Sequence, residues 1–221
     1  MQYAILFLPL LGAIFGYSAK YFSDLFSQLI TTLFVCLSAI LSIIVFYNGI
    51  FHENYGNYLV FQWISSGNFI ANWSINIDPL SSIMLVIVSL ISALVHIYSI
   101  GYMDHDPNKP RFMSYLSLFT FAMMVLVVSD NFLQLFFGWE GVGLSSYLLI
   151  GFWYKKDSAN KAAIKAFIVN RAGDFGFVIA LFLIFLFFGT LNYNEVFQLV
   201  PIFAEKEINF LGIDANLITL I

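Results

Sequence analysis

Charge and cysteine are what this sequence has least of. Asp, Glu, Lys and Arg together make up 10% of the 221 residues, and Cys36 is the single cysteine. One cysteine forms no intrachain disulfide and no thiolate cluster, so the chain offers no iron–sulfur centre and no zinc site. Because Cys36 falls inside an apolar run, it reads as a buried packing thiol. The basic leader of a secretory signal is also missing, since MQYAILFLPLLGAIFG is apolar from the start and the first cation, Lys20, follows it. That stretch is therefore expected to be a retained first span. No soluble domain, low-complexity tract or strong internal repeat stands out, and no nucleic-acid partner is expected.

What is present settles the class. Hydrophobic residues reach 61%, phenylalanine alone numbers 26, and the mean hydropathy is +0.88. This predicts an all-α polytopic membrane protein. Apolar segments near 3–19, 28–47, 79–102, 112–128, 131–154 and 162–188 give six complete transmembrane helices, and another starts near 211. The formal charge of −4 matters less than where the cations lie. Lys20 follows the first span, Lys109 and Arg111 the third, and Lys155, Lys156 and Lys161 the fifth. The intervening connections carry Glu53, Asp78, Asp130, Glu195, Glu205 and Glu207 with one cation, Lys206. By the positive-inside rule the basic loops face the cytoplasm or its mitochondrial equivalent, and the N-terminus lies outside.

Two outer connections carry local structure. Residues 58–77 place β-branched and aromatic side chains around Ser65-Ser66-Gly67-Asn68, which predicts a small extracytoplasmic β-hairpin anchored at the interface by Trp63 and Trp73. Asp78 followed by Pro79 reads as an N-cap with proline at the first helical position. Residues 194–203 predict a short amphipathic helix interrupted by Pro201. The chain stops in apolar sequence soon after 211, too early for the roughly 20 residues a span requires. The whole of 1–221 is therefore expected to be one transmembrane domain, the N-terminal part of a longer subunit.

Within NFLQLFFGWEGVGLSSYLLIGFWY, residues 131–154, the only charged side chain is Glu140. Counted from Asn131, it lies about 13 Å into a hydrocarbon core about 30 Å thick. A charge there costs on the order of 2.5–3.5 kcal/mol, which makes Glu140 a candidate for loading and unloading a proton rather than ordinary packing. The bland reading is a protonated glutamic acid hydrogen-bonded to a neighbouring helix. Gly138, Gly141 and Gly143 allow close backbone approach beside it.

On the sixth span Arg171 and Asp174 are spaced i,i+3, so they share a face and are expected to pair, either as a structural ion pair or as part of the same site. Lys165 lies nine residues before Asp174, on roughly the opposite side at about 100° per residue. It either snorkels to the surface or serves proton uptake. His96 on the third span is a relay candidate or a histidine bonded to its neighbour. Asp104, His105 and Asp106 precede Pro107 and read as a solvated turn, not a metal cluster. Gly12 and Gly16 form a small-xxx-small helix-packing pair.

Three stretches, FFGWEGVGLSSYLLIGFWYKK, AIKAFIVNRAGDFGF and VHIYSIGYMDHDPNKPRFMSYLSLFTFAM, resemble the antiporter-like L subunit, or chain 5, of the proton-translocating NADH:quinone oxidoreductase, respiratory complex I. The resemblance implies a subunit coupling NADH oxidation and quinone reduction to proton transport. It also implies an integral protein of the bacterial cytoplasmic or mitochondrial inner membrane, with other membrane subunits of the complex as partners, the neighbouring antiporter-like subunit above all. NADH, FMN, iron–sulfur clusters and quinone would belong to other subunits, with no cofactor bound by this chain. The family's fifth-helix glutamate falls on Glu140, and its sixth-helix arginine and aspartate fall on Arg171 and Asp174. The lysine that pairs with the glutamate would lie just beyond Ile221.

Two other readings compete. The large subunit of a multi-subunit sodium/proton antiporter would also place a glutamate in the fifth helix, although GWEGVG and VNRAGD favour the respiratory subunit. A purely structural scaffold explains the aromatic spans but not Glu140, Arg171 and Asp174 at depth.

Overall fold

A computed structural model describes residues 1–67 and 69–203, together with the backbone of two short strands beyond them. The order is α1 (Gln2–Ala19), α2 (Asp24–His52), β1 (Gly56–Ser66), β2 (Phe69–Ile77), α3 (Pro79–Tyr102), α4 (Lys109–Val127), α5 (Phe132–Ile150), α6 (Asp157–Phe188), α7 (Tyr193–Phe203), β3 (Glu207–Phe210) and β4 (Ile213–Asn216). Five helices, α1 to α4 and α6, are long and apolar enough to cross a membrane. The remaining expected span, α5, has 19 residues like α4 and packs between α4 and α6. Gln134, Glu140, the glycines and paired serines dilute its hydropathy. Its helix also ends at Ile150, so Trp153 and Tyr154 lie in a turn beyond it. The span expected from 211 is not helical over Ile213–Asn216, which pairs with β3 as an antiparallel strand. Residues 211–212 and 217–221, where the rest of that expectation falls, lie outside the described residues.

The bundle is assembled around α4, which packs against α1, α2, α3 and α5. Small polar side chains line these contacts, as expected where close backbone approach and interhelical hydrogen bonds replace hydrophobic driving force. Ser38 Oγ donates to the Ile5 carbonyl at 2.7 Å and Ser27 Oγ donates to the Gly16 carbonyl. Any side chain at Gly16 would run into Thr31 on α2, so this glycine permits the α1–α2 contact. Cys36 is only half-buried, against Val35, Ala39 and Ala93.

The hairpin forms as expected, with Gly67 turning at φ +58°. Its role differs from expectation. Trp73 is buried, not interfacial, and sits in a core with Ile5, Leu6, Leu85, Phe121 and Met124. Its ring stacks on Phe61 and meets Phe7 and Phe137. Trp63 stays exposed, edge-on to Phe137. β2 thus plugs one end of the bundle and leads into α3 through a complete capping box, where Asp78 Oδ1 accepts from Ser81 N and Ser81 Oγ accepts from Asp78 N.

The connections divide between two ends. Asn131 Nδ2 donates to the Asn72 carbonyl at 2.8 Å, and Asn131 bridges Asn192, so the hairpin, the α4–α5 turn and the α6–α7 connection meet at one end. There Ser129 and the Tyr193 hydroxyl are 3.0 Å apart, and burial, reinforced by the charge of Asp130, pushes the phenol upward. At the opposite end Arg111 Nη2 donates to the Phe152 carbonyl and Trp153 Nε1 to Asp106, tying the α3–α4 and α5–α6 loops together.

Candidate functional site

The α5 helix is fixed first at its N-terminus. Asn131 caps it by accepting from Gln134 N at 2.8 Å. Fully buried Gln134 then clamps β2, accepting from Ser74 N at 3.0 Å and donating Nε2 to the Ser74 carbonyl at 2.7 Å. Along the helix, a Cβ on Gly138 would stand 2.6 Å from the Leu126 nitrogen, and one on Gly141 3.0 Å from the Ala122 Cβ. These two glycines let α5 close onto α4. Gly143 behaves differently, with its nearest neighbour, Asn170 on α6, at 3.9 Å.

With Gly138 and Gly141 against α4, Trp139 and Glu140 are presented to α6. Arg171 Nη1 donates to Glu140 Oε1 at 2.6 Å and stands 3.9 Å from Asp174 Oδ2. The expected Arg171–Asp174 pair is therefore a weaker element of a three-residue cluster, because only the Glu140 contact is within hydrogen-bonding distance. Buried Asp174 keeps its other oxygen for Trp139, whose Nε1 donates to Oδ1 at 2.8 Å. Phe167 lies one turn before Arg171 with its ring centre 5.0 Å from the guanidinium carbon. Trp139 stacks on Phe177. A pocket of about 200 Å³ opens beside the cluster, lined also by Ser146 and Asn170.

Both halves of the cluster lie near the middle of their helices. Glu140 is about 12 Å from the start of α5, and Arg171 about 21 Å along an α6 that is about 48 Å long, at 1.5 Å per residue. Two carboxyls share one guanidinium, so the cluster carries one negative charge when both are ionised and none after taking up one proton.

The other two sequence candidates lie elsewhere. Lys165 is exposed on α6 and outside the pocket. His96 is wholly buried at the α3–α4 contact, with Nδ1 2.8 Å from the Ser92 carbonyl and Nε2 3.0 Å from Ser117 Oγ. Nδ1 is thus bonded within α3, and Nε2 alone reaches across to α4. Asp104 pairs with Lys109 at 3.2 Å, and Asp106 accepts from Asn108 N. Among the described residues no group of His, Cys, Asp and Glu is disposed to hold a metal ion. Trp139 was not legible as a site residue; a tryptophan at mid-span, away from either interface and next to the one carboxylate, was the available signal.

Residues 63–113 match the sequence model of the N-terminus of NADH-ubiquinone oxidoreductase (complex I) chain 5. Residues 129–221 match that of the membrane region of NADH:quinone oxidoreductase and Mrp antiporters. Chain 5 of the NADH-ubiquinone oxidoreductase of Chondrus crispus is 48% identical over 100% of this chain and 33% of its own length. Subunit L of the NADH-quinone oxidoreductase of Rickettsia felis is 50% identical over 92% of this chain and 32% of its own, and that of Rhodobacter capsulatus 46% over 98% and 31%. The chain thus spans about a third of the length of these curated relatives. Among solved structures, a chain of the membrane-bound sulfane sulfur reductase, an archaeal respiratory membrane complex, shares the fold with a TM-score of 0.78 at 17% identity, covering 90% of this chain and 40% of that one.

Proposed function

Given that the chain belongs to the chain 5 (subunit L) family of NADH:quinone oxidoreductases, we propose that it forms the N-terminal part of a proton-translocating membrane subunit in which Glu140 is the proton carrier. The observation that carries this reading is the 2.6 Å contact of Arg171 with Glu140 at mid-span, with Asp174 on the same guanidinium. Moving the guanidinium from one carboxyl toward the other changes which of them is compensated, and so where a proton is best held. The two carboxyls then titrate as a unit, and a conformational or charge signal from the rest of the assembly drives uptake and release with no redox group in this chain.

The rest of the reading follows from that role. NADH, FMN, iron–sulfur clusters and quinone are held by other subunits, and the partners are membrane subunits of the same enzyme, in particular a neighbouring antiporter-like subunit. The membrane is the bacterial cytoplasmic or mitochondrial inner membrane. α5 makes a sixth crossing, the N-terminus and hairpin lie outside, and the Lys109 and Lys155 loops lie inside. Trp139 and the Asn131–Gln134 clamp are positioning residues, and Lys165 and His96 have secondary parts. The match of 129–221 fits a sodium/proton antiporter subunit equally, because that family description spans both kinds of protein. The match of 63–113 to chain 5 favours the respiratory subunit.

The test is Glu140→Gln in the full-length subunit within the complete enzyme. Glutamine keeps the shape and still accepts from Arg171, so the enzyme assembles. Proton uptake into vesicles falls at least tenfold, which corresponds to about 1.4 kcal/mol on the limiting step, and NADH-driven quinone reduction falls with it. Glu140→Asp retains part of both. Full pumping by the glutamine variant, normalised to assembled enzyme, overturns the proposal.

A further inference from the structure

A groove runs over α5 between α4 and α6, built from two pockets in line. The first, about 410 Å³, lies at the loop end and is lined by Arg111, Tyr115, Tyr147, Tyr154, Asn160 and Ile164. The second, about 370 Å³, continues it inward past Leu118, Phe121, Phe137, Leu144 and Phe167 to Glu140 and Arg171. The same faces line both, because 111, 115, 118 and 122 on α4, 148, 144 and 141 on α5, and 160, 164, 167 and 171 on α6 each recur at helical spacing. From Asn160 to Arg171 the groove is about 16 Å long at 1.5 Å per residue. Its mouth carries one cation, Arg111, and its walls are apolar inward as far as Glu140 and Arg171.

We infer that this groove binds an anionic glycerophospholipid, with the phosphate at Arg111 and one acyl chain laid inward toward Leu144 and Phe167. Arg111 is held for the task. Its Nη2 donates to the Phe152 carbonyl at 2.9 Å, and its guanidinium carbon lies 4.7 Å and 5.1 Å from the ring centres of Phe152 and Tyr154. That leaves Nη1 and the buried Nε without a hydrogen-bond partner among the described residues. Arg111 stands two residues after the start of α4, and the wall formed by Gly151, Phe152 and Tyr154 follows the end of α5. Two 19-residue helices are about 28 Å long, so this wall lies at the depth of the headgroups. The charge balance there favours an anion. The connections at this end and the helix starts beside them carry Lys109, Arg111, Lys155, Lys156 and Lys161 against Asp104, Asp106 and Asp157; Asp104 is paired with Lys109 at 3.2 Å, and Arg111 is the cation that lines the pocket. A guanidinium at an apolar slot matches a phosphodiester with a hydrocarbon tail, and each cation near an anionic lipid adds to the attraction.

A chain in the inner pocket covers the Glu140–Arg171 pair on its α4 side, so water reaches the pair from the pocket lined by Trp139 and Asn170 instead. The inference rests on the bundle lying in a bilayer, not on proton transfer by Glu140.

The test uses the complete enzyme in phosphatidylcholine vesicles carrying a trace of photoactivatable lipid, with a diazirine at the end of an acyl chain and either a phosphatidylglycerol or a phosphatidylcholine headgroup. Adducts are mapped by mass spectrometry of the peptides. Phosphatidylglycerol should label the peptides containing Leu118, Leu144 and Phe167 about fivefold more than phosphatidylcholine, and Arg111→Gln should remove about that factor, as expected for one cation at an anionic surface. Leu144→Trp, which fills the inner pocket and leaves Arg111 in place, should abolish labelling of Phe167. Equal labelling by the two headgroups, labelling insensitive to Leu144→Trp, or no adduct on these peptides overturns the inference; the last would mean that protein fills the groove. Loss of the adducts in excess inorganic phosphate also overturns it, by making the mouth a site for free phosphate.

Discussion

Arg171 is the side chain on which the cluster depends most, because two carboxyls share it and nothing described replaces it. Arg171→Ala leaves Glu140 and Asp174 facing each other at mid-span without a cation, and a charged hydrogen bond lost in such surroundings costs about 1.5–3 kcal/mol. Asp174→Asn loses less, since the asparagine oxygen still accepts from Trp139 Nε1 and Arg171 keeps its 2.6 Å contact with Glu140. Assembled enzyme measured in membranes should therefore fall further for Arg171→Ala than for Asp174→Asn. Adding Glu140→Gln to Arg171→Ala should restore part of the loss, as coupled neighbours do. Equal amounts in both single variants, or no recovery in the double, would show that the three side chains do not act as a unit. The sequence already marked all three as costly at depth. It could not show which of them meet, because i,i+3 spacing reports neighbours on one helix and is silent about the helix opposite.

Helix contacts were less legible than helices. Apolar runs delimit α1 to α4 and α6 within a few residues, and Asp78-Pro79 marks the start of α3, because spans and caps are local in sequence. What holds α5 in place is not local. Gln134 bonds Ser74 across 60 residues, and nothing in FLQL distinguishes a glutamine clamping a strand from one facing a neighbouring helix. Trp73 shows the same limit, since an aromatic near a span end is as consistent with a core as with an interface. Of the three glycines near Glu140, only Gly138 and Gly141 are pressed against α4. Gly138→Ala should therefore force α5 away from the Leu126 backbone and cost about 1–3 kcal/mol, as overpacking does. Gly143→Ala meets only an ordinary contact at 3.9 Å and should be tolerated. Thermal inactivation of the assembled enzyme distinguishes the two, and similar midpoints would mean that the α4–α5 contact is looser than the geometry shows.

At the scale of the whole molecule, two independent lines lead to the same topology. One is the distribution of cations among alternate connections. The other is contact between connections. Asn131 joins the hairpin to the α6–α7 connection, while Arg111 and Trp153 join the α3–α4 and α5–α6 loops at the opposite end. Ser114, early in α4, lies against Gly16, near the end of α1, which puts the α1–α2 turn at that second end as well. α5 must then pass from one end to the other, although its length and composition alone do not mark it as a span. Positions 20, 109 and 155 are thus expected on one side of the membrane and positions 53 and 195 on the other. Single cysteines at these positions, in a Cys36→Ser background, can be labelled from each side with a membrane-impermeant maleimide. Labelling of 109 and 155 from opposite sides would remove α5 as a crossing and with it the mid-membrane position of Glu140. Labelling of 109 and 195 from the same side would mean that α6 does not complete its passage, leaving Arg171 and Asp174 outside the hydrocarbon core.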